Sequence, residues 1–266
     1  IAQEFPDEVN PEALAASVLR ARYMLQEAAS LELSTTSDPD GVLLNVRVTN
    51  ETGHKLPSGY PEGRRIWLQV SAYDNAGNSI YESGEYLSES GDLIQDPDVK
   101  IYQIKPGFST GWAAAIGKEA GPSFHFAIND TVYSDNRIPP RGFTNEAFTA
   151  IQSPPVSYSY EDGQYWDDTP YLLPFSTDSV AVNLLYQTTS KEYITFLRDE
   201  NTTTDDGDLV YGLWENNGMA PPETMRTASM KLHTLLPIVD LTVTADSDSL
   251  YLSWSPVSGA TSYRVF

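Results

Sequence analysis

The stretch Val42-Leu-Leu-Asn-Val-Arg-Val-Thr49 places Val42, Leu44, Val46 and Val48 at every second position. This two-residue period is that of a β-strand with one buried face. It recurs over residues 66–73, 79–86 and 180–186, and Gly/Pro-rich turns separate these segments. We therefore predict a mainly β fold, an antiparallel β-sandwich with one shared core. The inward-facing side chains are predicted to be Val42, Leu44, Val46, Val48, Val180, Val182 and Leu184.

Helices are predicted at one end of the chain and near residues 189–217. Asn10-Pro-Glu12 has the sequence of a helix N-terminus, and the Ala-rich stretch after it predicts a helix to about residue 29. Thr189-Ser-Lys-Glu192 has the spacing of a capping box, and a further helix is predicted over 209–217, ending at Gly218. Shorter strands are predicted over residues 99–104, 123–128 and 225–236. The Pro-rich, aromatic residues 134–178 are predicted to be one long loop.

The C-terminal residues have a separate pattern. Leu241-Thr-Val-Thr-Ala245, Ser249-Leu-Tyr-Leu-Ser-Trp-Ser-Pro256 and the last seven residues resemble the first three strands of a fibronectin type III domain, with Trp254 in its core. Three strands without their partners leave an open edge, and Ile1 is not an initiator Met, so we expect a longer parent chain. The predicted organisation is a helical segment over 1–30, a β-sandwich domain over 31–236 and a truncated fibronectin type III-like domain over 237–266.

The composition excludes several classes of function. The formal net charge is -21 and the pI is about 4.3, which argues against binding to nucleic acid or to anionic membranes. The chain has no Cys, so it has no disulfide, no Cys-ligated zinc, no thiol nucleophile and no covalently attached c-type haem. No apolar run reaches membrane-spanning length. We expect a protein that is not inserted in a membrane.

Two loops collect positive charge in this acidic chain. Residues 52–65 and 135–143 together hold five of the sixteen Lys and Arg residues: Lys55, Arg64, Arg65, Arg137 and Arg141. One interpretation is a site for an anionic partner. The other is that each cation ties its own loop to carbonyls and carboxylates. In either case we expect the two loops to lie together, with Glu62, Asp135 and Asp162 as the carboxylate acceptors.

The sequence contains no motif of a known catalytic site. The three histidines lack HxH or HExxH spacing, and neither a Gly-x-Ser-x-Gly elbow nor a phosphate-binding Gly loop is present. His125 is predicted to be a half-buried strand residue and His233 an ordinary one, whereas Gly-flanked His54 can project from its loop. Asp205, Asp206 and Asp208 form either a solvated acidic turn or a calcium site. We expect a protein that is not an enzyme.

Four ordered stretches together resemble a known family. They are residues 50–65, Asp135-Asn-Arg-Ile-Pro-Pro-Arg-Gly-Phe143, Asp162-Gly-Gln-Tyr-Trp-Asp-Asp168 and residues 185–194. They are similar to the haem-free β domain near the C-terminus of exported bacterial multihaem c-type cytochromes, often found ahead of fibronectin-like modules. The resemblance covers roughly residues 10–236. Because no Cys-x-x-Cys-His is present, the haem-bearing part of such proteins is absent from this chain.

The resemblance implies a scaffold or assembly module of an electron-transport protein in the periplasm or outside the cell. Its partner would be a c-type cytochrome, the haem-bearing part of the parent protein, or further copies of itself in a filament. On such a partner His54 is a candidate axial ligand of a haem iron, with Lys55 or Arg64 near the propionates. Arg65, Arg137, Arg141 and Trp166 are candidates for partner contact or loop tying.

A second hypothesis is an extracellular adhesin or carbohydrate-binding domain. The aromatic residues between Tyr158 and Tyr171, Trp166 among them, would then stack on sugar rings.

Overall fold

The computed structural model describes residues 9–232, 240–256 and 263. Five α-helices and fifteen β-strands lie within this part of the chain. The helices are α1 (Pro11–Glu27), α2 (Thr110–Ile116), α3 (Asn145–Ala150), α4 (Lys191–Asp199) and α5 (Asp206–Asn216), with a 3₁₀ turn at Phe126–Ile128. The strands are β1 (Ala29–Asp38), β2 (Gly41–Asn50), β3 (Arg65–Tyr73), β4 (Ser79–Ser83), β5 (Tyr86–Leu87), β6 (Asp92–Leu93), β7 (Ile101–Tyr102), β8 (Ile104–Phe108), β9 (Gly121–Pro122), β10 (Thr131–Asp135), β11 (Trp166–Leu173), β12 (Ser179–Gln187), β13 (Glu223–Lys231), β14 (Thr242–Ala245) and β15 (Leu250–Ser253).

The fold is mainly β, and its strands pair antiparallel, as the sequence predicts. The two sheets that form the sandwich have the strand orders β1-β2-β11 and β13-β12-β3-β4. The short strand β7 pairs with the first residues of β3. Side chains of both sheets meet in one buried cluster, as in a β-sandwich. Of the predicted inward set, Val42 is half-buried and the others are buried, whereas Leu43 and Arg47 are half-buried on the opposite face. The predicted strand register is confirmed.

The N-terminal helix is confirmed, but the strand that follows it was not predicted from the sequence. Asn10 caps α1 by accepting a hydrogen bond from the Ala13 N–H at 3.0 Å. α1 ends at Glu27, and β1 begins at Ala29 and pairs with β2 along its whole length. β1 therefore begins directly after α1 and forms the edge of its sheet.

The predicted strand over 123–128 is wrong. Ser123 accepts from the His125 N–H through its hydroxyl, and the chain then turns into the 3₁₀ segment Phe126–Ile128. These local bonds compete with strand pairing. The predicted strand over 99–104 is divided between β7 and β8, which belong to different sheets.

The predicted long loop over 134–178 is also wrong. It contains the end of β10, the helix α3 and the edge strand β11. Pro170 lies within β11 and is tolerated there because β11 has a neighbour on one side only.

Helix and strand limits nearer the C-terminus differ in detail. The N-cap of α4 is Ser190 rather than Thr189, and α5 begins at Asp206, three residues before the predicted start. Gly218 follows α5 with φ of 85°, as predicted for its C-terminus. β13 is Glu223–Lys231, and the rest of that predicted strand, His233 included, lies outside the described residues.

Two of the three fibronectin-like strands fall on described residues. β14 and β15 form an antiparallel hairpin, while the third predicted strand lies outside the described residues. Trp254 is half-buried rather than buried, with its ring 5.1 Å from that of Tyr263. None of the described helices combines the length and apolar composition needed to cross a bilayer.

Candidate functional site

The two cationic loops meet, as predicted from the sequence. Leu56 and Ile138 exchange backbone hydrogen bonds of 2.9 and 3.0 Å, which pairs the loop before β3 with the loop after β10. Both side chains are buried. The backbone bridge therefore fixes the two loops against each other.

A buried ion cluster, formed by Lys55, Asp135 and Arg137, holds this junction together. Asp135 Oδ2 lies 2.7 Å from Lys55 Nζ, and Arg137 binds the same carboxylate through Nε at 2.8 Å and Nη2 at 2.7 Å. Burial alone would raise the pKa of Asp135, but the two cations hold it below its ordinary value. Burial lowers the pKa of Lys55 against the opposing effect of Asp135. Two cations face one carboxylate, so the cluster carries one surplus positive charge.

Asp135 is the one predicted acceptor that the structure confirms. Asp162 instead accepts from the Asn145 N–H at 2.8 Å at the start of α3. Glu62 is buried, and neither carboxyl oxygen has a hydrogen-bond partner among the described residues. Both predicted pairings, with Asp162 and with Glu62, are wrong: Asp162 binds Asn145 instead, and Glu62 is buried without a hydrogen-bonded cation.

The remaining cations bind separate partners. Arg65 donates to Gln187 Oε1 at 2.9 Å and to Glu192 Oε1 at 3.1 Å, and it is buried. Arg64 donates to the Ser58 carbonyl at 2.6 Å. Arg141 lies at the surface, 3.2 Å from Glu51 Oε2. These contacts fit the loop-tying interpretation for Arg65 and Arg64.

His54 projects from a loop that is fixed from beneath. Asn50 is fully buried, and its Nδ2 donates to the carbonyls of His54, Ile138 and Pro139 at 2.7, 2.9 and 3.0 Å. Its Oδ1 accepts from the N–H and hydroxyl of Thr52. The backbone of His54 is thereby held while its side chain is exposed.

The imidazole stands at the edge of a cleft of about 680 Å³, here named the His54 cleft. Lys55 and Arg137 of the ion cluster contribute to its lining, and Pro140, Phe148 and Ile151 give it an apolar wall. Lys55 is only 7% exposed, so it does not face the surface from which a partner would approach. The interpretation of Lys55 as a directly presented counter-charge is therefore not supported.

His125 packs against two aromatic rings and lies near a carboxylate. Its ring stacks on Phe108 at 5.6 Å, meets Phe196 edge-on at 4.8 Å, and has Nε2 3.4 Å from Glu200 Oε2. It precedes the 3₁₀ turn rather than lying in a strand.

The acidic turn at residues 205–208 becomes the start of α5. Asp205 is the N-cap residue, and Asp206 and Asp208 lie in the first turn, where negative charge complements the helix dipole. Within the described ranges, no group of three or more His, Asp or Glu side chains is arranged to hold a metal ion. The calcium hypothesis stays a prediction.

The aromatic segment proposed to bind sugars has cations over its rings. Arg47 lies 5.2 Å from the ring centre of Trp166 while it forms a two-point contact with Asp168, and Arg141 lies 4.7 Å from that of Tyr165. One face of each ring is thus covered. This arrangement does not favour the carbohydrate-binding hypothesis.

Sequence reasoning missed a buried network around Asp167. This carboxylate accepts from Tyr102 at 3.0 Å and Tyr158 at 2.5 Å, and Lys100 Nζ lies 3.0 Å away. Burial, together with Asp167, raises the pKa of the Tyr158 hydroxyl. The sequence gives little signal of it, because Asp167 alternates in β11 with the buried Thr169, Tyr171 and Leu173 only once the strand is known. The network satisfies the buried Asp167 carboxylate and links β11 to the segments that carry Tyr102 and Tyr158.

Comparisons with known proteins do not identify the family of this chain. No family model matches the chain, and no curated protein matches it. One solved structure, a penta-haem cytochrome c552 from Thermochromatium tepidum, is similar over 79% of this chain at 15% sequence identity, with a TM-score of 0.49. The chain spans 41% of the length of that cytochrome. At this identity and score the likeness establishes neither family nor function.

Proposed function

We propose that this chain is a non-catalytic assembly module of an exported electron-transport protein, and that His54 is the side chain it presents to a haem group of its partner. The observation that carries the proposal is the construction of the His54 loop. An exposed imidazole stands on a backbone fixed by a fully buried Asn50 and by the ion cluster beneath it. A rigidly held, accessible ligand is what a docking site requires.

The buried ionisable groups support a structural role for the rest of the junction. Lys55 and Arg137 both bind the Asp135 carboxylate, and each of the three charges is thereby paired within the junction. A buried pair of this kind specifies how two loops meet. We therefore assign the ion cluster to positioning rather than to chemistry.

The residues around His54 fit a haem edge. Neutral imidazole is a common axial ligand of haem iron. A haem bound here would supply one-electron transfer. Pro140, Phe148 and Ile151 offer an apolar wall for a flat macrocycle. The surplus positive charge of the ion cluster favours anionic propionates nearby.

Two further features support the proposed setting. The four stretches that resemble the haem-free domain of multihaem cytochromes include the His54 loop and the Arg137 loop themselves. The absence of Cys means that any covalently attached haem at this site belongs to a partner or to another part of a parent protein. Location in the periplasm or outside the cell, and assembly with a cytochrome or with further copies, follow from the same resemblance.

A titration with a c-type haem peptide tests the role of His54, because such a peptide has one axial position open. Addition of the intact chain should convert the peptide to the low-spin form, with affinity at least about tenfold above that of N-acetylhistidine. His54→Ala should remove this gain. His125→Ala is the matched control and should bind as the unaltered chain does. Equal binding by the His54→Ala variant and the unaltered chain would overturn the proposal.

A further inference from the structure

A second cavity, here named the Glu62 cavity, is lined by residues different from those of the His54 cleft. It has a volume of about 350 Å³. The loop before β3, strands β7 and β8, the segment after β9 and the N-terminus of α4 form its walls. Its size is at the lower end of the range for small-molecule sites.

Three side chains that line this cavity carry unpartnered polar atoms. Within the described residues, both oxygens of Glu62, Nη2 of Arg65 and Nε of Arg64 are buried without a hydrogen-bond partner. Glu62 is 3% exposed and Arg65 is 4% exposed. Buried polar groups are almost always satisfied, because leaving one unpaired costs roughly 1–3 kcal/mol. The unpartnered N–H groups of Arg65 and Arg64 indicate a ligand that accepts hydrogen bonds from them, and a protonated Glu62 can donate to the same ligand.

The cavity is positively charged in a strongly negative protein. Arg64, Arg65 and Lys105 contribute to its lining, and Arg65 binds Glu192 across it. Burial raises the pKa of Glu62 and so favours its neutral form. Burial acts against the ionisation of Glu192, but Arg65, its backbone amide and Ser190 hold the pKa of Glu192 below its ordinary value. With Glu62 neutral, three cations face one carboxylate.

The rest of the lining is largely apolar. Ile101, Ile104 and Phe124, with Pro61, Pro106 and Pro122, provide hydrocarbon surface next to the guanidinium groups. Inorganic anions would gain nothing from such walls, whereas an organic anion would bury its apolar part there.

We propose that the Glu62 cavity binds a small organic monocarboxylate whose carboxylate accepts from the free N–H groups of Arg65 and Arg64 and whose apolar body fills the remaining space. Guanidinium groups suit this recognition because their N–H groups are fixed and always charged. The proposal does not depend on the role of His54.

Calorimetric titration of the intact chain with three probes tests the ligand class. Benzoate should bind, while benzamide, which has nearly the same shape but no charge, should bind at least about tenfold more weakly. Inorganic phosphate should also bind at least about tenfold more weakly, since it lacks the apolar body. No benzoate binding, or equal binding of either other probe, would overturn the proposal.

Two variants test whether benzoate binds in the Glu62 cavity. Arg64→Gln should weaken benzoate binding by about tenfold or more. Arg141→Gln, which removes an exposed Arg from the neighbouring loop, is the matched control and should leave the affinity unchanged. Arg65 is less suitable for substitution because it also binds Gln187 inside the fold. Unchanged benzoate affinity in Arg64→Gln would contradict the assignment.

The pH dependence of benzoate binding tests whether Glu62 faces the bound ligand. The charged or titratable groups that face it are Arg64 and Arg65 on its own loop and β3, Lys105 on β8, and Glu192 and Tyr193 on α4. Benzoate affinity should fall by roughly tenfold as the pH rises through the raised pKa of Glu62, because Glu62 then becomes negative beside a bound anion. Glu62→Gln should remove this dependence. His125→Gln, a change at the residue next to Phe124 in the cavity wall, should retain it. A profile that Glu62→Gln leaves unaltered would show that Glu62 does not face the ligand.

Discussion

Lys55 Nζ and Asp135 Oδ2 lie 2.7 Å apart, with both residues almost wholly buried and eighty positions apart in the chain. Arg137 completes the contact by binding both oxygens of the same carboxylate. The pair joins the loop that carries His54 to the loop that follows β10, so its integrity controls the geometry of the His54 cleft.

Replacing Asp135 should destabilise the fold strongly. Asp135→Asn keeps the shape of the side chain but leaves the Lys55 and Arg137 charges without a carboxylate. Breaking a buried ion pair in this way costs on the order of 3–5 kcal/mol in free energy of unfolding, measurable by urea denaturation. Asp168→Asn is the control, since its pair with Arg47 is half-exposed and should be worth about 1 kcal/mol or less. Equal losses of stability in the two variants would show that the Lys55–Asp135–Arg137 cluster does not stabilise the fold more than a half-exposed pair does.

Stability should fall in acid partly through Asp135. Its pKa in the folded protein lies below its ordinary value, so its charged form stabilises the fold at all pH values above the unfolded pKa of about 3.9. This contribution is lost as the pH falls through the depressed folded pKa. Free energies of unfolding measured across this acid range should decline more steeply for the unaltered chain than for Asp135→Asn. Parallel curves would mean that Asp135 has no such linkage.

Glu62 should act in the opposite sense. Because its folded pKa is raised, the folded state holds its proton more tightly, and stability decreases as the pH rises from about 4.3 through the folded pKa. In the absence of ligand, Glu62→Gln should therefore raise the free energy of unfolding at about pH 8 and have little effect near pH 4. Glu192→Gln, in the same cavity, should lower stability at about pH 8, since the pKa of Glu192 is depressed. A loss of stability in both variants at that pH would contradict the buried, unpaired state of Glu62.

Asn50 should be essential to the His54 loop. Asn50→Ala removes the donors to three carbonyls and the acceptor for Thr52, so the free energy of unfolding should drop by roughly 2–3 kcal/mol. Hydrogen exchange at the backbone amides of residues 52–56 should become faster than in the unaltered chain. Asn45→Ala, which loses one half-buried bond to Asp168, should change neither quantity comparably. Unaltered exchange in Asn50→Ala would show that the loop is held by other contacts.

The sequence predicted the strands correctly where one buried face requires an apolar residue at every second position. Leu44, Val46 and Val48 on β2 and Val180, Val182 and Leu184 on β12 are all buried because alternate side chains of a strand share a face. The meeting of the two cationic loops was predictable for a related reason. A buried acidic side chain beside a cation in an otherwise acidic chain needs a nearby partner, and Asp135 has two.

The missed features depend on contacts distant in sequence. β11 combines Pro170 with Asp167 and Asp168, which obscures its alternation, and only pairing with β2 defines it as a strand. The Glu62 cavity is formed by segments from residues 61–65, 101–106, 122–124 and 190–192, so no local pattern could indicate it. Arg65 was assigned to carboxylates of its own loops, but β3 pairs with β12 and carries it to Gln187 and Glu192 instead.

The register of β2 can be tested with two adjacent leucines. Leu44 is fully buried opposite Tyr171 of β11, whereas Leu43 is half-buried and pairs with Leu172, which is 47% exposed. Leu44→Ala should lower the free energy of unfolding by about 2–5 kcal/mol, because it removes buried hydrocarbon and leaves a cavity in the sandwich core. Leu43→Ala removes the same atoms from the opposite face and should cost about 1 kcal/mol or less. Urea denaturation of both variants measures the difference, and a larger loss at Leu43 than at Leu44 would show that the strand presents its other face to the core.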